Sequence, residues 1–162
     1  MDMSYQTPFE IAVSFLDNSP VKLNEMAYAL GATVIYDKSM SSKLSGQIRK
    51  FNDSYEIAIN ASDSCLRQRF TLAHEIAHLL IHREKIDLAD IFDDRSYRSN
   101  LKINEERSAN LLAAKLLMPE KLIRLIFKTC DSIDIEKLAN IFEVNQMAIK
   151  IRLTELGLDY EI

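Results

Sequence analysis

The sequence predicts an α+β fold: a small antiparallel or mixed sheet packed on a helical core, with a helical layer at the C-terminus. Three observations lead there. Helix-start and helix-stop signals bracket the first thirty residues. Short β-branched and aromatic runs separated by turn residues follow. From residue 61 onward apolar residues recur at helical spacing almost to the end. The 162 residues contain no internal repeat, no low-complexity tract and no linker long enough to divide them. One domain is therefore expected over 1–162, with N-terminal helices at 1–31, a sheet at 32–60, central helices at 61–118 and a C-terminal helical layer at 119–162.

Each element has a local reason. Thr7-Pro8-Phe9-Glu10 combines an N-cap, a proline at the first helical position and a capping-box glutamate. Ser19-Pro20 predicts a second helix start of the same kind, ended by Gly31 after Leu30. Thr33–Tyr36 is β-branched and aromatic, hence a strand; the serine-rich stretch Ser39–Ser45 with Gly46 is a loop. Gln47–Lys50 and Glu56–Asn60 flank Asn52-Asp53-Ser54, which predicts a hairpin. A long helix should run from Arg67 to His82, capped by Ser62, Asp63 or Ser64. Residues 83–103 are charged and lack clean periodicity, and Asp93-Asp94-Arg95-Ser96 should be exposed. Asn104 should cap a strongly apolar helix that Pro119 stops near Met118. Helical patterns follow at 120–128, 135–142 and 146–156, the last closed by Gly157.

Composition narrows the function. The chain is 48% hydrophobic and 27% charged, ordinary for a globular protein. A net charge of −4 and a pI near 5.4 argue against broad binding to nucleic acid or membrane surfaces. No apolar run approaches the roughly 18 residues of a membrane span, and Met1–Tyr5 has no signal-peptide character, so a cytoplasmic location is expected. Cys65 and Cys130 stand apart with no CxxC spacing and are expected to be reduced, partly buried thiols.

His74-Glu75-Ile76-Ala77-His78 is the most informative stretch. Side chains four apart lie on one helix face, so both histidines can offer a ring nitrogen to one zinc ion. Glu75 then lies beside the metal, where a carboxylate can take a proton from an activated water. The flanking residues Phe70, Leu72, Ile76, Leu79, Leu80 and Ile81 predict a buried helix, on which polar residues need partners that a metal would supply.

Catalytic zinc takes three protein ligands. His82 continues the i+4 series but lies about 12 Å from His74 at 1.5 Å rise per residue, too far to share an ion comfortably. It is expected instead to cap the helix or touch a backbone carbonyl. Glu106 is the stronger candidate for third ligand. Glu106, Ala109, Asn110, Ala113 and Leu117 form one helix face, and the alanines would let two helices approach closely. Glu105, about 100° around the helix, is the alternative, and a glutamate favoured only by the helix dipole is the ordinary one.

Three blocks in order carry a family resemblance: Arg69-Phe70-Thr71-Leu72-Ala73-His74-Glu75-Ile76-Ala77-His78-Leu79-Leu80, then Glu106-Arg107-Ser108-Ala109-Asn110, then Ala113 with Lys115-Leu116-Leu117-Met118-Pro119. Together they closely resemble the ImmA/IrrE family of bacterial and phage metallopeptidases, over roughly residues 20–157. The resemblance implies a zincin-like core, His74, His78 and Glu106 as zinc ligands, and Glu75 as general base. It also implies a protein substrate, a helix-turn-helix repressor of a phage, mobile element or stress regulon. Leu112 departs from the phenylalanine usual in the family's second block, a change of packing and not of chemistry.

The expected reaction is metal-assisted peptide hydrolysis, with Glu75 moving the proton from water to the leaving amine. Tyr55, His82, Arg95 and Tyr97 are the available oxyanion donors. The strand Glu56–Asn60, or its neighbour, is expected to offer an edge for an extended substrate. Two rival functions remain: a partner-binding protein that does not cut, and a DNA-binding regulator with a structural zinc. For the latter, Asp134–Leu153 resembles a helix-turn-helix, with Leu138, Ala139, Phe142, Val144, Ala148, Ile149 and Arg152 at plausible spacing. Electrostatics oppose it. Acids at 131, 134, 136, 143, 155, 159 and 161 face bases only at 137, 150 and 152, a surface that phosphates would repel. Glu143 also stands where a small turn residue is usual. A packed layer that docks a basic partner is the preferred expectation, with no direct nucleic-acid and no membrane contact.

Overall fold

The computed structural model describes residues 6–91 and 103–160. Its first helix, α1 (Pro8–Val13), has the expected capping box: the Thr7 N–H donates to Glu10 Oε2 at 2.6 Å and the Glu10 N–H to Thr7 Oγ1 at 3.2 Å. The second, α2 (Leu23–Ala29), starts later than Ser19-Pro20 suggested. The Ser19 hydroxyl is used elsewhere, donating to the Ile141 carbonyl at 2.7 Å, and Val21 is buried, so this segment ties the N-terminus to the C-terminal layer. Gly31, at φ +83°, ends α2 as expected.

Three strands follow: β1 (Ala32–Asp37), β2 (Gly46–Phe51) and β3 (Ser54–Asn60). Their order is β1-β3-β2, with β1 parallel and β2 antiparallel to β3, so the sheet is mixed. Asn52, at φ +55°, turns the β2–β3 hairpin. Because β3 is paired on both sides it has no free edge; among the described residues the outer strands are β1 and β2. Ile48 lies opposite Ile57 and Gly46 opposite Ile59, which puts the apolar face of the hairpin against the helices. Buried Asn60 braces the serine-rich loop, donating through Nδ2 to the carbonyls of Ser41 (3.2 Å) and Leu44 (2.8 Å).

The long helix α3 (Cys65–Ile81) is capped by Ser64, whose hydroxyl accepts from the Arg67 N–H at 3.3 Å. Its centre, Thr71–Ala73 and Glu75–Leu79, is buried, while Phe70 and Ile81 stay partly exposed. A helix that periodicity did not predict, α4 (Arg83–Ile91), comes next. Among the described side chains Ile86 is buried and anchors it, with polar contacts to β2 and β3 beside it, a docking that leaves little apolar periodicity in the sequence. The proposed exposed segment Asp93–Ser96, with Arg95 and Tyr97, lies outside the described residues.

Helix α5 (Ile103–Leu117) already includes Asn104, which therefore does not cap it; its carbonyl accepts from the Ser108 hydroxyl at 2.8 Å. Pro119 ends this stretch and serves as N-cap of α6 (Glu120–Thr129). Asp134 caps α7 (Ile135–Phe142), and Asn145 caps α8 (Gln146–Glu155), which Gly157 follows at φ +65°. The fold is thus α+β, with a three-stranded mixed sheet and eight helices among the described residues. One continuous apolar cluster runs from Ala12 and Met26 through Ile57, Leu72, Ile76 and Leu79 to Leu117, Ile123, Phe142 and Leu153. Both cysteines are free and exposed rather than partly buried. No helix among the described residues is long and apolar enough to cross a membrane.

Candidate metal centre

Helix α3 lies across the inner face of the sheet and packs along α5. The crossing is built from small residues: Ala73 and Ala77 on α3, Ala109 and Ala113 on α5, all fully buried. Without bulky side chains between them the helix axes approach closely. That approach brings a carboxylate from the start of α5 to the histidine face of α3, as the alanine spacing suggested.

Three side chains converge there. His74 Nε2 and His78 Nε2 are 3.0 Å apart; His74 Nε2 lies 3.2 Å from Glu106 Oε2, and His78 Nε2 lies 3.2 Å from Glu106 Oε1. The ligand atoms of His74, His78 and Glu106 all fall within 4.8 Å of one another, close enough to hold a single metal ion. The rings of His74 and His78 meet edge-on, at 84°, so each presents its Nε2 without blocking the other. The histidine side chains are largely buried, whereas that of Glu106 is 43% exposed, so the cluster opens to solvent on the α5 side.

The neighbouring glutamates are sorted by position. Glu105, one residue earlier, turns away to pair with Lys85 of α4. Glu75 is 4% exposed and lies beside Gly46 of β2. Gly46, the first residue of β2, sits against it: a Cβ there would stand 3.3 Å from Glu75 Oε1 and only 2.3 Å from Thr71 Cγ2. The absence of a side chain at Gly46 lets β2 pass over α3 at the level of Glu75. Nothing in the sequence marked Gly46 as more than a turn residue, because the contact joins a strand to a helix far along the chain.

His82 stands where α3 ends, its N–H donating to the His78 carbonyl at 2.8 Å. It thus caps the helix, the first of the two roles expected of it; its ring contact among the described residues is with His78, whose Nδ1 lies 2.9 Å from its own Nδ1. Burial first, and Lys85 second, push its pKa below the usual imidazole value. His74 Nδ1 is buried with no partner among the described residues. Of the oxyanion candidates, Tyr55 is committed elsewhere: its hydroxyl donates to Asp87 Oδ1 at 2.7 Å. It also sits at the opposite end of β3 from Ile59, the residue paired with Gly46.

The C-terminal layer differs from a free helix-turn-helix. Arg152 is 5% exposed, with Nε donating to the Met118 carbonyl at 3.2 Å and Nη1 to Glu155 Oε2 at 3.4 Å. The turn residue Glu143 adopts φ +51° and pairs with Arg69 of α3 at 3.5 Å.

Comparison with known proteins bears on these features. The family model described as the IrrE N-terminal-like domain, a peptidase family, matches residues 27–154. The chain belongs to that family. It is 26% identical over 108 residues to the metallopeptidase ImmA of Bacillus subtilis (strain 168), covering 67% of this chain and 60% of that protein. It is 41% identical over 71 residues to the radiation response metalloprotease IrrE of Deinococcus deserti, covering 44% of this chain and 25% of that protein. The matches thus span 60% of the first relative and 25% of the second, less than two thirds of either. In fold it is similar to a Mycobacterium tuberculosis transcriptional regulator, with a TM-score of 0.60 and 17% identity over 91% of this chain and 46% of the other.

Proposed function

We propose that this member of a metallopeptidase family is a zinc-dependent endopeptidase with His74, His78 and Glu106 as ligands and Glu75 as general base. The observation that carries the reading is the convergence of two imidazole nitrogens and one carboxylate at 3.0–3.2 Å, next to a buried glutamate. Donors about 2.0–2.1 Å from a tetrahedral zinc lie roughly 3.3–3.4 Å from one another, so the cluster is the right size. The donor set, two histidines and a carboxylate, is one that catalytic zinc uses. Bound there, zinc supplies Lewis acidity, making water a nucleophile near neutral pH and offsetting charge on the substrate oxygen.

The chain's own residues do the rest. Glu75, held between α3 and β2, accepts the proton of the attacking water and delivers it to the leaving amine. Burial on the Gly46 side keeps this carboxylate in one place. The exposed flank at Glu106 leaves the substrate's side open. The strand β2, which pairs with β3 on one side and starts near Glu75, is the element beside which an extended peptide would lie. We read residues 1–162 as one zincin-like domain acting in the cytoplasm. Its substrate is a helix-turn-helix repressor, a class implied by the family resemblance and compatible with an acidic C-terminal layer meeting a basic partner. A DNA-binding role is disfavoured by Arg152, whose guanidinium is turned inward.

The test is incubation with a helix-turn-helix repressor, chosen from the neighbouring genes where one is encoded there, with and without zinc, followed by mass spectrometry of the products. Discrete zinc-dependent fragments are expected. A stable complex with no cleavage at full zinc occupancy would instead favour the non-cutting partner-binding role.

A further inference from the structure

We infer that His82 is a positioning residue that fixes the His78 ring for metal, by accepting the proton that His78 carries on Nδ1. The inference rests on the metal-binding reading above and extends it by one residue. His78 points its two nitrogens in opposite directions: Nε2 to the His74 and Glu106 atoms, Nδ1 to His82 Nδ1 at 2.9 Å. A ring nitrogen that binds a metal carries no proton, so the proton of a neutral His78 must sit on Nδ1. Two ring nitrogens 2.9 Å apart form a hydrogen bond only if one donates and the other accepts. With His78 as donor, His82 Nδ1 is the acceptor and the proton of His82 lies on Nε2.

The backbone keeps this pairing in place. His82 is the C-cap of α3, and its N–H bonds to the carbonyl of the same residue whose ring it supports. Its tilted ring stands 5.1 Å, centroid to centroid, from that of His78. His82 cannot be a fourth ligand in this arrangement, because the His78 ring lies between it and the cluster. The two ligating histidines are therefore unequal. His78 is 3% exposed and oriented by an outer partner; His74 has a buried Nδ1 with no partner among the described residues. Outer partners of metal-binding histidines select the tautomer and hold the ring's direction, and their loss commonly costs 10–100-fold in metal affinity.

The experiment compares zinc affinity in the wild type, His82→Leu and His82→Asn by competition with a chromogenic chelator at one pH. Long-range ¹H–¹⁵N NMR of the ring nitrogens accompanies it. The asparagine oxygen occupies nearly the position of His Nδ1 and can accept the same proton; leucine fills space but cannot. His82→Leu should bind zinc about 10–100-fold more weakly, His82→Asn should recover most of that loss, and the wild-type spectrum should show the His78 proton on Nδ1. Equal affinity in wild type and His82→Leu would overturn the inference. So would an asparagine variant as weak as the leucine one, since a purely packing role does not distinguish them by acceptor. Failure of the wild type itself to take up zinc would instead overturn the metal reading on which the inference rests.

Discussion

At the scale of single residues, each group proposed for the centre has a distinct failure. Glu75→Gln should keep zinc and fold yet lose cleavage by ~100-fold or more, since an amide can bond the water but cannot take its proton. Zinc analysis and fragment mass read the two properties separately; activity within a few-fold of wild type would remove Glu75 as the base. Glu106→Gln should weaken zinc binding sharply, whereas Glu105→Gln, whose carboxylate is engaged with Lys85, should hardly change it. Reversed sensitivities would mean that α5 presents the other glutamate. Gly46→Ala should retain zinc but lower turnover, because its Cβ would crowd Thr71 and the Glu75 carboxylate. Full activity in that variant would show that β2 can retreat without disturbing the base. These residues were unequally legible. His74, Glu75 and His78 are set by spacing within one helix, which sequence displays directly. Glu106 could be narrowed to a pair, because helix phase shows a face but only packing chooses which glutamate meets the histidines. The roles of Gly46 and His82 depend on a strand–helix contact and on a ring rotamer, and neither leaves a periodic trace.

At the scale of elements, caps and turn residues marked several boundaries: Thr7, Gly31, Asn52, Ser64 and Gly157 stand where an element starts, turns or stops, whereas Asn104 lies inside α5. Helix α4 escaped because tertiary polar contacts, not an apolar stripe, hold it. Asp87 accepts the Tyr55 hydroxyl at 2.7 Å and pairs with Lys50 at 3.5 Å, while the Arg83 guanidinium lies over the Tyr55 ring. Tyr55→Phe should therefore cost about 1.5–3 kcal/mol of stability, the usual range for a hydrogen bond to a charged group. The same contact sets a pH signature. Burial first, and Asp87 second, push the Tyr55 pKa from 10.0 up to about 12. Above pH ~10 the unfolded chain gives up this proton while the folded one keeps it, so stability falls as pH rises towards 12. Denaturant titrations between neutral and alkaline pH should show a shallower decline in Tyr55→Phe than in wild type. Parallel curves would mean that the hydroxyl is not held in the folded protein.

At the scale of the whole molecule, the question is whether the C-terminal helices make this chain a DNA reader or a surface for a protein. The helix-turn-helix spacing of Asp134–Leu153 is real at the level of pattern, but the same apolar positions are spent on the common core: Leu138, Ala139, Phe142, Ile149 and Leu153 are all buried in the cluster that reaches back to Met26 and Ile76. Arg152, the base best spaced to meet a phosphate, is folded against Met118. With 24 acids against 20 bases in the chain, the net charge of −4 works against non-specific association with duplex DNA. The chain alone should therefore show no binding to its own promoter in an anisotropy titration at ~0.15 M salt, where the Debye length is about 8 Å. A basic repressor should bind, and that association should weaken as added salt screens the acidic layer. Sequence-specific DNA binding by the chain alone would reverse the argument, making the helix-turn-helix the working part and the histidine cluster a structural one. Salt-insensitive repressor binding would place the contact on the apolar and backbone groups of β2 instead. Salt-sensitive capture followed by zinc-dependent cleavage is the outcome that gives both halves of the molecule a task, the acidic layer holding the partner and the α3–α5 crossing cutting it.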